Sequence, residues 1–189
     1  MKGWIEFTRP PLSEAERQFL LAAVWDAQAA SARANTQNAS NVAVCTVGQA
    51  SLTLTNALAA GILATGGLHA PVTLARELIF GSPLPDSLPE GAVPGFGNSF
   101  HRGQIDPVWQ PLAKHLKDEH WSAWQMIEAW AGLLAGAGKA HHVNAAGLTA
   151  AVAYLVCWPV GLEPVLVIQP RLTVWAALYL DATSGKGLA

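Results

Sequence analysis

Between Gly81 and Gly103 the chain carries Pro83, Pro85, Pro89 and Pro94 interleaved with Gly91, Gly95 and Gly97, a density that no helix or strand interior tolerates. This stretch is therefore a long connection, and long connections in compact domains are usually functional or disordered. The sequence on either side of it reads as helix. Ser13-Glu14-Ala15-Glu16 after Pro10-Pro11 is a capping box, in which the Ser hydroxyl accepts from the third helical amide while Glu16 reaches back, opening a helix to about Ala34. Small polar residues fill 35–41, and an Ala-, Leu- and Thr-rich run, apolar all round, then continues to Thr65 as a buried central helix. Pro71 is placed to start a helix to about Phe80. Asp106 caps one from Pro107 to about Lys117, and a Trp-bearing helix follows from about Ser122 to Lys139. Asn144 caps another to Cys157; Pro159 ends it, and a short turn over Glu163 to Ile168 precedes a last helix from Arg171 to Asp181. No period-2 alternation and no internal repeat appears, so the expected fold is all-α, a single domain over residues 1–189 with its loop at about 81–106.

A chain of 189 residues buries about 70 % of its unfolded surface. Hydrophobic residues make up 51 % and charged residues 13 %, against roughly 25 % charged in ordinary soluble domains, which points to a buried oligomer interface. The longest run free of charged or strongly polar residues, Ala150 to Leu162, is shorter than the roughly 20 residues a spanning helix needs, so no membrane association is expected. Eleven Lys and Arg against thirteen Asp and Glu, with no basic cluster beyond Lys114 to Lys117, exclude a nucleic-acid partner. The N-terminus lacks a signal-peptide pattern and both cysteines, Cys45 and Cys157, sit in apolar segments, the pattern of a reduced, cytoplasmic protein.

Two motifs carry candidate chemistry. His69 follows Gly66-Gly67-Leu68 directly and precedes a helix start, a setting that favours the neutral imidazole; a lone His near a helix end also reads as structural. Together, Gly66-Gly67-Leu68-His69-Ala70-Pro71, Val93-Pro94-Gly95-Phe96-Gly97-Asn98 and Asp106-Pro107 resemble the active-site skeleton of the citrate synthase and citryl-CoA lyase family. The resemblance runs from about Leu12 to the end, without the family's N-terminal portion, and implies a shortened citrate-synthase-like fold and a homodimer. It implies that His69 polarises an acyl-CoA thioester carbonyl, that the Gly95, Phe96, Gly97 loop wraps coenzyme A, that Arg102 approaches the CoA phosphates and that Arg171 holds the carboxylate of a small substrate.

Several positions depart from the family pattern. Asn98 stands in place of a catalytic His; its amide can bind an oxygen without delivering a proton. Ala146 stands in place of the Asp that removes the thioester's methyl proton, Asp26-Ala27 in place of Asp-His, Asp106-Pro107-Val108 in place of Asp-Pro-Arg, and Gly103 in place of Lys. His101 and His142 are possible replacement acids or bases. Adjacent His141 and His142 lack a HExxH motif or paired-Cys spacing, so no metal is expected. Trp109, Trp121, Trp124 and Trp130 fit core or dimer packing better than a ligand cage. The expected function is carbon-carbon bond formation or cleavage on an acyl-CoA thioester and a small carboxylate, altered from standard citrate synthase. The alternative is a non-catalytic binder of CoA or a carboxylate, or a subunit of a complete citrate-synthase-like partner.

Overall fold

A computed structural model describes residues 11–35, 37–50, 52–65, 71–81, 83–97, 103–139 and 141–185. They form eight α-helices and no named strand: α1 Glu14–Ala34, α2 Ala39–Gln49, α3 Leu54–Thr65, α4 Val72–Phe80, α5 Gln110–Glu119, α6 Trp121–Gly136, α7 Ala145–Leu155 and α8 Glu163–Thr183. The all-α expectation holds. Two compact units divide the chain, one taking in Met1–Val24 and Pro71–Glu163, the other Trp25–Ala70 and Pro164–Ala189.

In the first unit, α4 packs on α7 and α6, and α5 on α6. The core is built from Ile79 of α4, Leu116 of α5, Trp130 and Leu134 of α6 and Leu148 of α7, all buried. Phe80 and Tyr154 stack at 4.6 Å between α4 and α7. Trp109 and Trp124 are buried too, as packing requires, whereas Trp121 is exposed. Glu163, fully buried, accepts from Arg76 Nη1 at 2.5 Å, Thr73 Oγ1 at 3.0 Å and the Gly161 amide at 2.8 Å.

In the second unit, α2 packs on α3, and Val44, Ala57 and Trp175 form a fully buried cluster ringed by Val47, Leu58, Ile168, Leu172, Leu178 and Tyr179. Asn41, also buried, saturates its side chain: the amide donates to the carbonyls of Ala32 (2.6 Å) and Asn35 (2.9 Å), and Oδ1 accepts from Trp175 Nε1 (3.0 Å).

Four sequence expectations require correction. The apolar run after Asn41 is two helices, because Asn38 caps α2 by accepting from the Asn41 amide and Thr53 accepts from the Asn56 amide at the start of α3. Nor is its second half buried: α3 leaves Leu54, Ile62 and, at 81 % exposure, Leu63 uncovered. The last two helices are one, α8, which runs through Pro170; Leu166 and Val167 before it and Val174 and Trp175 after it are buried, so packing on both sides holds the helix across the lost hydrogen bond. Finally, α8 is long and apolar enough, by length and composition, to cross a membrane, since its isolated polar residues Gln169, Arg171 and Thr173 are diluted among apolar ones.

Two smaller differences concern single side chains. Cys157 is exposed, in a left-handed conformation (φ +56°), while Cys45 is buried. Ser13 accepts from the Glu16 amide (3.1 Å) as a capping box requires, but the Glu16 carboxylate turns to His115 and His120.

Candidate functional site

Asn144 organises the first unit's loop. As the N-cap of α7, its Oδ1 accepts from the amides of Ala146 (2.9 Å) and Gly147 (3.2 Å). The other end of the same side chain donates from Nδ2 to the Gly97 carbonyl at 2.8 Å, and its backbone amide donates to the Gly95 carbonyl at 2.9 Å. Gly97 N donates to the His142 carbonyl at 2.9 Å, and Phe96 pairs with Val143 in an antiparallel bridge. The Gly95-Phe96-Gly97 loop is thus sewn onto the start of α7, and the two stretches that resemble the family's CoA loop and catalytic-Asp segment lie side by side. Phe96 and Ala146 are both buried there.

Glycine is needed at this seam. Gly95 and Gly97 have φ of +88° and +80°, which an L side chain rarely adopts. At Gly147 a Cβ would sit against the Gly95 carbonyl oxygen and 2.7 Å from Val143 Cγ2, closer than real atoms approach. The loop backbone therefore lies directly on the backbone of α7.

Arg171, on α8 in the second unit, donates from Nη2 to Gln28 Oε1 at 2.8 Å. Its Nε is buried without a hydrogen-bond partner, and no carboxylate among the described residues pairs with the guanidinium. Burial lowers its pKa to about 10, so it stays charged at neutral pH. A charged, partly buried fork with an unused donor is suited to accept an anionic oxygen.

Of the sequence-derived site residues, Gly95, Phe96, Gly97, Arg171 and His142 are placed by the structure. His69, Asn98, His101 and Arg102 lie outside the described residues. His142 precedes α7 with an exposed side chain and contributes its carbonyl to the loop, while the imidazole that lies against the loop is that of His141: a Cβ on Gly97 would be 3.4 Å from its Nδ1. Sequence reasoning missed this neighbour, Gln28 and the loop-holding half of Asn144, because each contact joins residues more than 40 positions apart. It also missed the one group among the described residues able to hold a metal ion, Glu16 with His115 and His120, which has no local spacing signature.

No protein-family model and no curated protein sequence matches the chain. Among solved structures, citryl-CoA lyase from Hydrogenobacter thermophilus superposes with a TM-score of 0.70 over 94 % of this chain and 73 % of that one, at 18 % identity. The chain has a citryl-CoA lyase-like fold. At that identity the likeness is one of fold, and the citryl-CoA lyase-like architecture accounts for the helical order of both units. It also agrees with the resemblance that the Gly-Phe-Gly and Asn-Ala-Ala-Gly segments carry in the sequence.

Proposed function

We propose that this citryl-CoA lyase-like protein acts on an acyl-CoA thioester and a small carboxylate, making or breaking a carbon-carbon bond by chemistry altered from that of standard citrate synthase. The observation that carries the reading is the Gly95-Phe96-Gly97 loop seated on the capped start of α7, beside the position where the family's base would stand. In this reading His69 polarises the thioester carbonyl, Asn98 orients a second oxygen, Arg102 and the loop hold CoA, and Arg171 uses its spare donor on the carboxylate. In this reading the compartment is cytoplasmic, as the cysteine usage of the sequence suggests.

A homodimer completes the proposal. The uncovered Leu54, Ile62 and Leu63 of α3 and Val165 and Leu180 of α8 are apolar surface of the kind a subunit interface covers. That role also accounts for the apolar character of α8, whose Arg171 and Trp175 are engaged by Gln28 and Asn41 as in a core helix. Light scattering at micromolar concentration reads the assembly; a monomer that persists at high concentration removes this part of the proposal.

Ala146 favours a second reading, a protein that binds the thioester without enolising it, since no carboxylate stands at that turn of α7. Proton NMR of the acetyl methyl group of acetyl-CoA in deuterated buffer, with and without small oxo-acids, separates the two. Methyl exchange that disappears in His69→Ala identifies an enolising enzyme, line broadening without exchange identifies a binder, and neither effect rejects thioester recognition altogether.

A further inference from the structure

Glu16 in the first turn of α1, His115 on α5 and His120 at the corner between α5 and α6 turn their polar atoms toward one another. Both imidazole Nε2 atoms lie 2.7 Å from the same oxygen, Oε1 of Glu16, and the three donor atoms are all within 4.8 Å of one another. His120 is only 6 % exposed, whereas Glu16 and His115 keep about a quarter of their side chains open, which gives an ion a way in. The Phe19 ring packs against His115 at 4.5 Å and limits its rotation.

We propose that Glu16, His115 and His120 form a binding site for a divalent transition metal of the zinc class, which clamps the first turn of α1 to the α5–α6 corner. Two imidazole nitrogens and a carboxylate oxygen are a donor set for zinc, cobalt or nickel rather than for calcium or magnesium, which favour oxygen. Tetrahedral zinc with bonds of ~2.0–2.1 Å places its donor atoms about 3.3 Å apart, so a small rotation of the Glu16 carboxylate away from the two rings opens the space required. Three protein ligands then leave one position for water. His120 is buried with its Nδ1 unpartnered, so the ring is held through Nε2 alone.

The test is calorimetric titration of the full chain, stripped with a chelator, with Zn²⁺ and separately with Co²⁺, whose visible absorption reports tetrahedral nitrogen and oxygen ligation. One equivalent is expected to bind to the wild type. Because outer-shell partners alone alter metal affinity by about 10–100-fold, loss of a ligand in His115→Gln or Glu16→Gln is expected to weaken binding by at least about 100-fold. Both variants keep a polar side chain of similar size, and a circular-dichroism spectrum confirms that each is folded. His141→Ala/His142→Ala is expected to bind as the wild type does. Absence of stoichiometric binding, binding unchanged in both ligand variants, or binding abolished by the His141→Ala/His142→Ala change would each overturn the proposal.

Discussion

Replacing Glu163 by Gln keeps the shape of a fully buried side chain and removes its charge. The carboxylate serves three donors at once: Arg76, itself only 12 % exposed, the Thr73 hydroxyl and the Gly161 amide. The Gln amide group points two hydrogens at donors that need an acceptor. Removing one partner of a buried pair typically costs about 3–5 kcal/mol. Arg76 keeps its bond to the Trp158 carbonyl (2.7 Å), which places the expected loss near the lower end, about 3 kcal/mol. With a urea m-value of roughly 2 kcal/mol/M, the midpoint followed by far-ultraviolet circular dichroism falls by about 1.5 M. Desolvation raises the Glu163 pKa, but its own amide, Arg76, Thr73 and Gly161 together bring it below 4.5. A depressed folded pKa means that this stability is present above the unfolded value and is lost as pH falls through the folded one. Wild-type stability should therefore drop below about pH 4.5 more steeply than that of Glu163→Gln. A midpoint shift under about 0.3 M, or identical acid limbs for the two proteins, would show that the buried cluster does not hold the unit together as argued.

Gly147→Ala drives a Cβ into the Gly95 carbonyl and should lower stability by about 1–3 kcal/mol, whereas Gly132→Ala, on α6 with nothing within 4 Å, should raise it by about 0.5–1 kcal/mol; thermal melts of the two distinguish crowding from helix propensity. Asn41→Ala leaves the carbonyls of Ala32 and Asn35 and the Trp175 indole without their partner and should cost about 3 kcal/mol, read from Trp fluorescence during urea unfolding; a loss below about 1 kcal/mol would mean that water replaces all three bonds. Ala146→Asp puts a carboxylate in the first turn of α7 and should increase methyl exchange of acetyl-CoA by about 100-fold in the NMR assay. No gain in a folded variant would disconnect this turn from thioester chemistry.

Much of the helical order was legible because its signals are local. Ser13, Asp106 and Asn144 each accept the amide hydrogen bonds that their position predicts. Errors arose where a local rule met a tertiary one. Pro170 should end a helix, yet buried neighbours on both sides keep α8 continuous; the break before α3 is different, because the Thr53 cap on the Asn56 amide is a local signal masked by the apolar run around it. The seam between Gly95 and α7 was only half legible. Its two stretches were recognised by resemblance, but the contact of Gly147 with the Gly95 carbonyl has no signature in either. The Glu16, His115 and His120 group was hidden altogether, since about a hundred residues separate the carboxylate from the imidazoles and the capping box offered Glu16 a simpler fate.

Asn144 couples the Gly95–Gly97 loop to the start of α7. One planar amide group uses its oxygen to cap α7 and its nitrogen to hold the loop, so a substitution at this single position removes the cap from Ala146 and Gly147 and the tie to Gly97 together. Loss of the cap alone costs about 1 kcal/mol. The register of the loop and the first turn of the helix are therefore fastened by the same side chain, and a change there is felt on both sides of the seam.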